Sequence, residues 1–359
     1  MTGTVRSALA IAPTRERRRA CTVLAGLTLA ALACILFACV VGSVALPFSE
    51  QFSALAEAMQ HAVANDAHAG SPSLAATLLE LRLGRALTAF VTGGTLALAG
   101  VMMQALLRNP LADPYVLGVS GGAAVGALTA MLLFSATWVL DIAAFGGAIA
   151  VALLLFVLAH RDLRDVRGGM ADGNPSLLLL TGVIVASGCS ALVSLILSLA
   201  PDSRLRGMVF WMIGDLSGAQ ARWLPWLILS GALIFAMRVA RAINVMALHA
   251  ETALTLGIRV GALRRGLFFC AALLTASAVS SAGSIGFVGL IVPHACRFAL
   301  GPDHRLLLPA ATLVGGSFLV LADTLARSLA APQQFPVGVI TALIGVPLFL
   351  LQLHHIHKK

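Results

Sequence analysis

Lysine is almost missing from this chain: the only two are Lys358 and Lys359. A phosphate-binding P-loop needs a lysine inside its glycine-rich turn. The chain therefore carries no Walker ATPase site, and any ATP that drives it is hydrolysed on another subunit. Charge of either sign is scarce as well. Charged residues make up 11% of the 359, against about 25% in soluble domains, which excludes an ordinary soluble enzyme. There is one tyrosine. The six cysteines, Cys21, Cys34, Cys39, Cys189, Cys270 and Cys296, include no C-x-x-C pair. Neither a disulfide framework nor a zinc site is supported, and they read as small lipid- or core-facing residues.

What remains is apolar: 59% of the residues are hydrophobic and the mean hydropathy is +0.95. A membrane-spanning helix takes about 20 apolar residues. The first such run is Cys21 to Leu46, after a polar segment holding Arg6, Arg15, Arg17, Arg18 and Arg19. It is longer than the apolar region of a secretory signal and reads as a first span. Further runs fall near 83–107, 115–134, 139–160, 176–200, 222–240, 264–282, 284–300, 306–326 and 336–354. The expectation is an all-α integral membrane protein of about ten transmembrane helices. It has a tail at 1–20, a single ten-span transmembrane domain over 21–354 and a second tail at 355–359.

Charge placement orients it. With the N-terminus in the cytoplasm and sides alternating, 18 of the 24 basic residues lie inside and six outside. Positive residues favour the cytoplasmic side, so both termini are expected there. The net charge of +9 is then a topology signal, not a nucleic-acid footprint. Ten spans divide into two sets of five, and an odd number per half makes the halves inverted repeats. Arg82/Arg85 and Arg264/Arg265 open comparable small-residue helices in the two sets.

Gly118, Gly122 and Gly126 stand at the spacing that lets helices approach closely in lipid. Before them comes a polar loop with two prolines, Arg108–Asn109–Pro110–Leu111–Ala112–Asp113–Pro114. Here the residues resemble a known family. RNPLADPYVLGVSGGAAVGA (108–127) is similar to the signature of the FecCD family, the permeases of type II ABC importers for cobalamin, haem and ferric siderophores. LRLGRALTAFVTGGTLALAGVMMQ (81–104), MALHAETALTLGI (246–258), GSIGFVGLIVPHACRFALGPDHRLLLP (283–309) and PVGVITALIGVPLFLLQL (336–353) resemble further family segments in the same order. Gly84 departs from the pattern, where the family has proline, and implies a softer helix start.

The resemblance implies roles for individual residues. Arg82, Arg85 and Arg327 would meet acidic residues of a periplasmic binding protein. Read alone, each is an arginine anchoring a helix end. Asp323, four residues before Arg327, is spaced to pair with it. Segment 244–262 is short and has an apolar side. Leu248, Glu251, Thr252, Leu254, Leu256 and Gly257 would form coupling helices seated in a groove of a separate ATPase; the alternative is a solvated loop. Asn174, Pro175 and Ser176 match the gate region. Ser187, Ser190 and Ser194 would line the pathway or bond within the bundle. Arg108, Asn109, Pro110, Leu111, Asp113, Pro114, Gly118, Pro293 and His294 carry the family motif. The loop 201–222, with Arg204, Arg206, Trp211, Asp215 and Arg222, reads either as a re-entrant or interfacial helix or as part of a vestibule that receives an anionic cargo or the binding protein. His61 and His68, and the tail histidines His354, His355 and His357, read as solvated rather than as metal or haem ligands.

The implied protein is a non-catalytic permease in the bacterial inner membrane. It binds no cofactor or metal itself, with ATP and Mg on the partner ATPase. Its partners are a second copy of itself, two ATPase subunits and a periplasmic binding protein. Its cargo would be a ferric siderophore or haem ahead of cobalamin, moved inward by alternating access. The rival from another class, an ion-coupled secondary transporter, needs ionisable residues at mid-membrane. Asp141, Asp215 and Asp323 all fall near span ends.

Overall fold

The computed structural model describes residues 3–42, 73–134, 136–164, 175–218, 222–248 and 250–357. Among these there is no strand. The helices are α1 (Gly3–Val40), α2 (Leu74–Leu106), α3 (Val119–Leu133), α4 (Thr137–Arg164), α5 (Pro175–Leu199), α6 (Asp202–Ile213), α7 (Trp223–Leu248), α8 (Ala250–Thr255), α9 (Val260–Ala282), α10 (Val288–Leu300), α11 (His304–Ser328) and α12 (Val337–His357). A 3-10 turn, Pro114–Leu117, precedes α3.

Seven of these, α1, α2, α4, α5, α7, α9 and α11, are long and apolar enough to cross a membrane. α3, α10 and α12 are apolar but shorter over their described side chains. Each coincides with one of the apolar runs of the sequence. Extents differ from the expected ones. α2 starts at Leu74, where the Ser73 hydroxyl caps it by accepting the Ala76 N–H at 3.2 Å. α1 is helical from Gly3, so the arginine-rich segment expected as a tail continues the first helix.

α2 is the axis of the bundle. It is 33 residues long, or about 50 Å at 1.5 Å per residue. From Thr88 to Leu106 every residue is buried. Small residues make this possible, because lipid offers no hydrophobic force between helices and close backbone approach has to supply the attraction. A Cβ on Gly93 would lie 2.2 Å from the Gly315 carbonyl oxygen of α11. One on Gly100 would lie 1.9 Å from the Gly289 carbonyl of α10. The glycines after the polar loop divide in role. Gly122 and Gly126 pack on Gly147 and Ala143 of α4, whereas Gly118 takes φ +71 and turns the chain into α3.

Packing crosses between the halves of the sequence. α2 packs most extensively on α11, and α9 packs on α4. The second helix of each half thus lies on the fourth helix of the other. α1, α4, α5, α7 and α12 turn large apolar side chains outward, among them Leu29, Trp138, Val183, Leu227 and Leu350.

Candidate functional site

The end of the bundle opposite α8 holds the three arginines singled out in the sequence. Arg82 and Arg327 are buried. Arg82 Nη1 donates to the carbonyls of Cys39 and Val40 at 3.1 and 3.2 Å, and Arg327 Nη2 donates to that of Ala38. These are the last carbonyls of α1, the negative end of its dipole, where a cation is favoured. Arg85 faces the other way. Its Nε lies 3.0 Å from both Asp323 oxygens and its Nη2 2.8 Å from Oδ1. Its Nη1 reaches the exposed Gln334 Oε1 at 2.8 Å. The helical spacing of Asp323 and Arg327 leaves them 3.8 Å apart, so the tight partner of Asp323 is Arg85.

The polar loop after α2 is a set of local caps. Asn109 Oδ1 accepts the Leu111 N–H at 2.9 Å, and Asp113 Oδ1 accepts the Tyr115 N–H at 2.7 Å. Asn and Asp favour such turns because a short side chain can bond the backbone two residues on. Arg108 takes φ +47. Pro114 meets Gly289 of α10: a Cβ there would stand 2.8 Å from the proline ring. The Tyr115 hydroxyl accepts the Ile285 N–H at 3.2 Å, joining the segments that lead into α3 and α10. Burial pushes the Asp113 carboxyl up to about 6, against the lowering effect of the Tyr115 N–H. Burial, with Asp113 adding to it, raises the Tyr115 phenol. Pro293 sits inside α10. The next residue, His294, packs edge-on to Phe349 of α12 with centroids 6.5 Å apart.

At the α8 end, Ala253 is fully buried while Leu254 and Leu256 are 40% and 65% exposed. Thr252 is also exposed. The helix stops at Gly257, φ +76, and the Ile258 N–H returns to the Ala253 carbonyl at 2.9 Å. A short helix is thus pinned by one small residue and presents leucines outward. Of the other expected residues, Asn174 lies outside the described set, as do the side chains of Pro175, Ser176, Leu248 and Glu251.

α5 presents Ser187, Ser190 and Ser194 on one exposed stripe. The Ser187 and Ser194 hydroxyls donate to the Val183 and Ser190 carbonyls of their own helix at 2.9 and 3.0 Å. In the loop 201–222, Arg204 binds the Met131 and Leu132 carbonyls at the end of α3, at 2.7 and 2.8 Å. Arg206 lies over the Phe210 ring at 5.4 Å, and Arg222 pairs with Asp141. These arginines are engaged within the chain, in keeping with the interfacial-helix reading of α6.

One polar cluster had no sequence signal. Asn244 of α7 stands against the start of α11. Its Nδ2 donates to Asp303 Oδ1 at 2.7 Å. Its Oδ1 accepts the His304 N–H at 2.9 Å and meets His304 Nδ1 at 2.7 Å. Asp303 also caps α11 through the Arg305 N–H at 3.0 Å. Burial works against its charge, but the Arg305 N–H, the Asn244 amide and the Arg305 cation outweigh it and hold Asp303 below the usual carboxylate value. Nothing local links residues 59 positions apart, so only the fold could reveal this contact.

The FecCD transport family matches residues 28–355 of the chain. A cobalamin import system permease, BtuC of Halobacterium salinarum, is 41% identical over 289 residues, covering 78% of this chain and 74% of its own length. The hemin transport system permease HmuU of Yersinia pestis is 40% identical over 283 residues, covering 76% and 81%. An inward-facing metal-chelate type ABC transporter superposes with a TM-score of 0.77 at 29% identity, covering 93% of this chain and 99% of its own.

Proposed function

The chain belongs to the FecCD transport family, and from that premise we propose that it is the permease of an ATP-binding-cassette importer for a bulky metal chelate. The observation that carries the reading is α8, pinned through Ala253 and offering Leu254 and Leu256 outward. A helix this short and this apolar on its outer side fits a groove in a partner, and the missing Walker lysine assigns hydrolysis to that partner. Two ATPase subunits close on ATP, and α8 carries the stroke into the bundle.

The pathway forms between two copies of the chain. The exposed stripe of α5 supports this, since Val183, Ser187, Ser190 and Ser194 combine apolar and hydroxyl groups on one face. The gate lies at its start, at Asn174, Pro175 and Ser176. At the opposite end, a periplasmic binding protein docks over Arg82, Arg85 and Arg327: Arg85 meets its acidic groups, and Arg82 and Arg327, buried on the α1 carbonyls, add positive charge from beneath. Arg85 is reached first, because Gln334 on its outer side is exposed. The crossed packing of α2 on α11 and of α9 on α4 supports two inverted five-helix halves and ten spans, and the 18-to-6 split of basic residues supports cytoplasmic termini. The cargo is a ferric siderophore, haem or cobalamin, and relatives named for cobalamin and for hemin are almost equally similar.

Purification of the tagged chain from its native membrane, with mass spectrometry of what it retains, tests the reading. We expect an ATPase in equal number and a binding protein whose retained small molecule names the cargo. Recovery of the chain without any ATPase overturns it.

A further inference from the structure

We infer that Asn244 is the positioning residue through which the ATPase stroke reaches α11, and through α11 the opposite face of the membrane. The inference rests on the importer reading above and goes beyond it by naming the route inside this chain.

Three observations carry it. First, α8 follows α7 directly and packs back on it, with Ala253 of α8 and Met246 of α7 both fully buried. Asn244 lies on α7 half a turn before Met246, so a push on α8 is felt there. Second, α7 holds the start of α11 by polar contacts of one orientation. The Asn244 amide gives its N–H to Asp303 and takes two donors from His304, its backbone N–H and its ring Nδ1. His304 is 4% exposed, so its N–H has no water to fall back on. An unmade bond on the buried His304 side costs more than the bond contributes, while the Asn244–Asp303 bond on the outer side is exposed. Third, α11 transmits displacement well. It lies along α2, with Gly315 against the Gly93 backbone and Gly316 against the Phe90 ring. It ends at Asp323 and Arg327, about 30 Å from the clasp at 1.5 Å per residue. Asp323 holds Arg85 there at 2.8 Å. Rigid secondary elements and hydrogen-bond networks that have two discrete arrangements carry coupling between distant sites.

The two ends are reciprocal. If nucleotide at α8 alters the arginine end, a protein docked on the arginines alters nucleotide turnover by the same coupling free energy for binding. The test uses that reciprocity and needs no knowledge of the cargo. The permease–ATPase complex is placed in liposomes, and ATP hydrolysis is measured with and without the co-purifying binding protein.

Asn244→Asp sets a carboxylate against Asp303 and breaks the clasp. Adding Asp303→Asn rebuilds it with donor and acceptor exchanged, and Asn serves as well as Asp as the cap of α11. We expect the stimulation ratio to fall about fivefold or more in Asn244→Asp, as for an allosteric coupling, while the ATPase still co-purifies and hydrolyses ATP. The double variant is expected to return most of it. A merely structural role lowers the yield of the complex in the single variant and leaves the ratio of the surviving complex unchanged. That result overturns the inference, as does a double variant that assembles but stays unstimulated. If the wild-type chain brings down no ATPase, the importer reading itself fails, and the two failures are told apart.

Discussion

Arg85 and Asp323, 238 positions apart in the chain, form a forked ion pair at the end of the bundle away from α8. Their side chains are 13% and 3% exposed. Three guanidinium contacts of 2.8 to 3.0 Å join them. The planar fork of arginine matches a carboxylate in this way, and lysine could not replace it. The pair locks α2 to α11 at the mouth where docking is proposed.

Removing one member should be far worse than removing both. Asp323→Ala leaves Arg85, and Arg327 beside it, without a counter-charge. Breaking a buried pair in this way costs about 3–5 kcal/mol. Asp323→Leu with Arg85→Met leaves only Arg327 without its carboxylate, still bonded to the Ala38 carbonyl, and should lose clearly less. Thermal unfolding of the purified chain in detergent checks the order. A double variant less stable than Asp323→Ala would show that the pair is a net source of stability.

The glycine contacts of α2 should tolerate no methyl group. Gly100→Ala places a carbon 1.9 Å from the Gly289 carbonyl, which drives the α2 and α10 backbones apart. Overpacking of this kind costs about 1–3 kcal/mol or more. Gly146→Ala in α4 meets nothing within 4 Å and should be stabilised by helix propensity, by up to about 1 kcal/mol. Unfolding midpoints of opposite sign are the expected result.

Asp113 should give the loop after α2 a pH signature. Its folded pKa of about 6 lies above the usual unfolded value of about 3.9. A raised carboxyl pKa means that the folded state holds the proton more tightly. Its stabilising contribution is full below about 3.9 and is lost as pH rises through about 6. Asp113→Asn keeps the cap to Tyr115, because asparagine serves as well, and should flatten stability against pH across that window. Melting curves of both proteins from pH 4 to 7 test it.

The outward leucines at α8, Leu254 within it and Leu256 just past its end, should matter for association and not for folding. Leu254→Asp with Leu256→Asp changes side chains that are 40% and 65% exposed, so the monomer should purify as before. Co-purification of the ATPase should be lost. Retention of the ATPase at wild-type stoichiometry would remove α8 from the coupling role.

Much of this architecture was readable in the sequence, because lipid imposes a simple code. Apolar runs of about 20 residues mark helices wherever they fall, and all ten runs became helices. The caps at Asn109 and Asp113 are local, so the polar loop was legible as a loop. What could not be read was long-range pairing. The spacing of Asp323 and Arg327 suggested a pair, yet bidentate geometry gave the carboxylate to Arg85 on another helix. Read alone, Arg82 and Arg327 anchor a helix end; the end they bind is that of α1, whose backbone carbonyls carry no residue code. Asn244 was invisible for the same reason. The short extents of α3 and α10 followed from Gly118, and from Gly283 with φ +69, where the chain turns before each helix begins.

The crossed packing sets a timetable for synthesis. α2 is complete at residue 106 and its main partner α11 begins at residue 304. At about 5–20 residues per second, that interval lasts about 10–40 s. Through it the glycine face of α2 waits in the bilayer, and Arg85 waits longer still for Asp323. Arg82 does not wait, since the α1 carbonyls that receive it were made before it. The newborn first half is therefore a docking surface held open for the second.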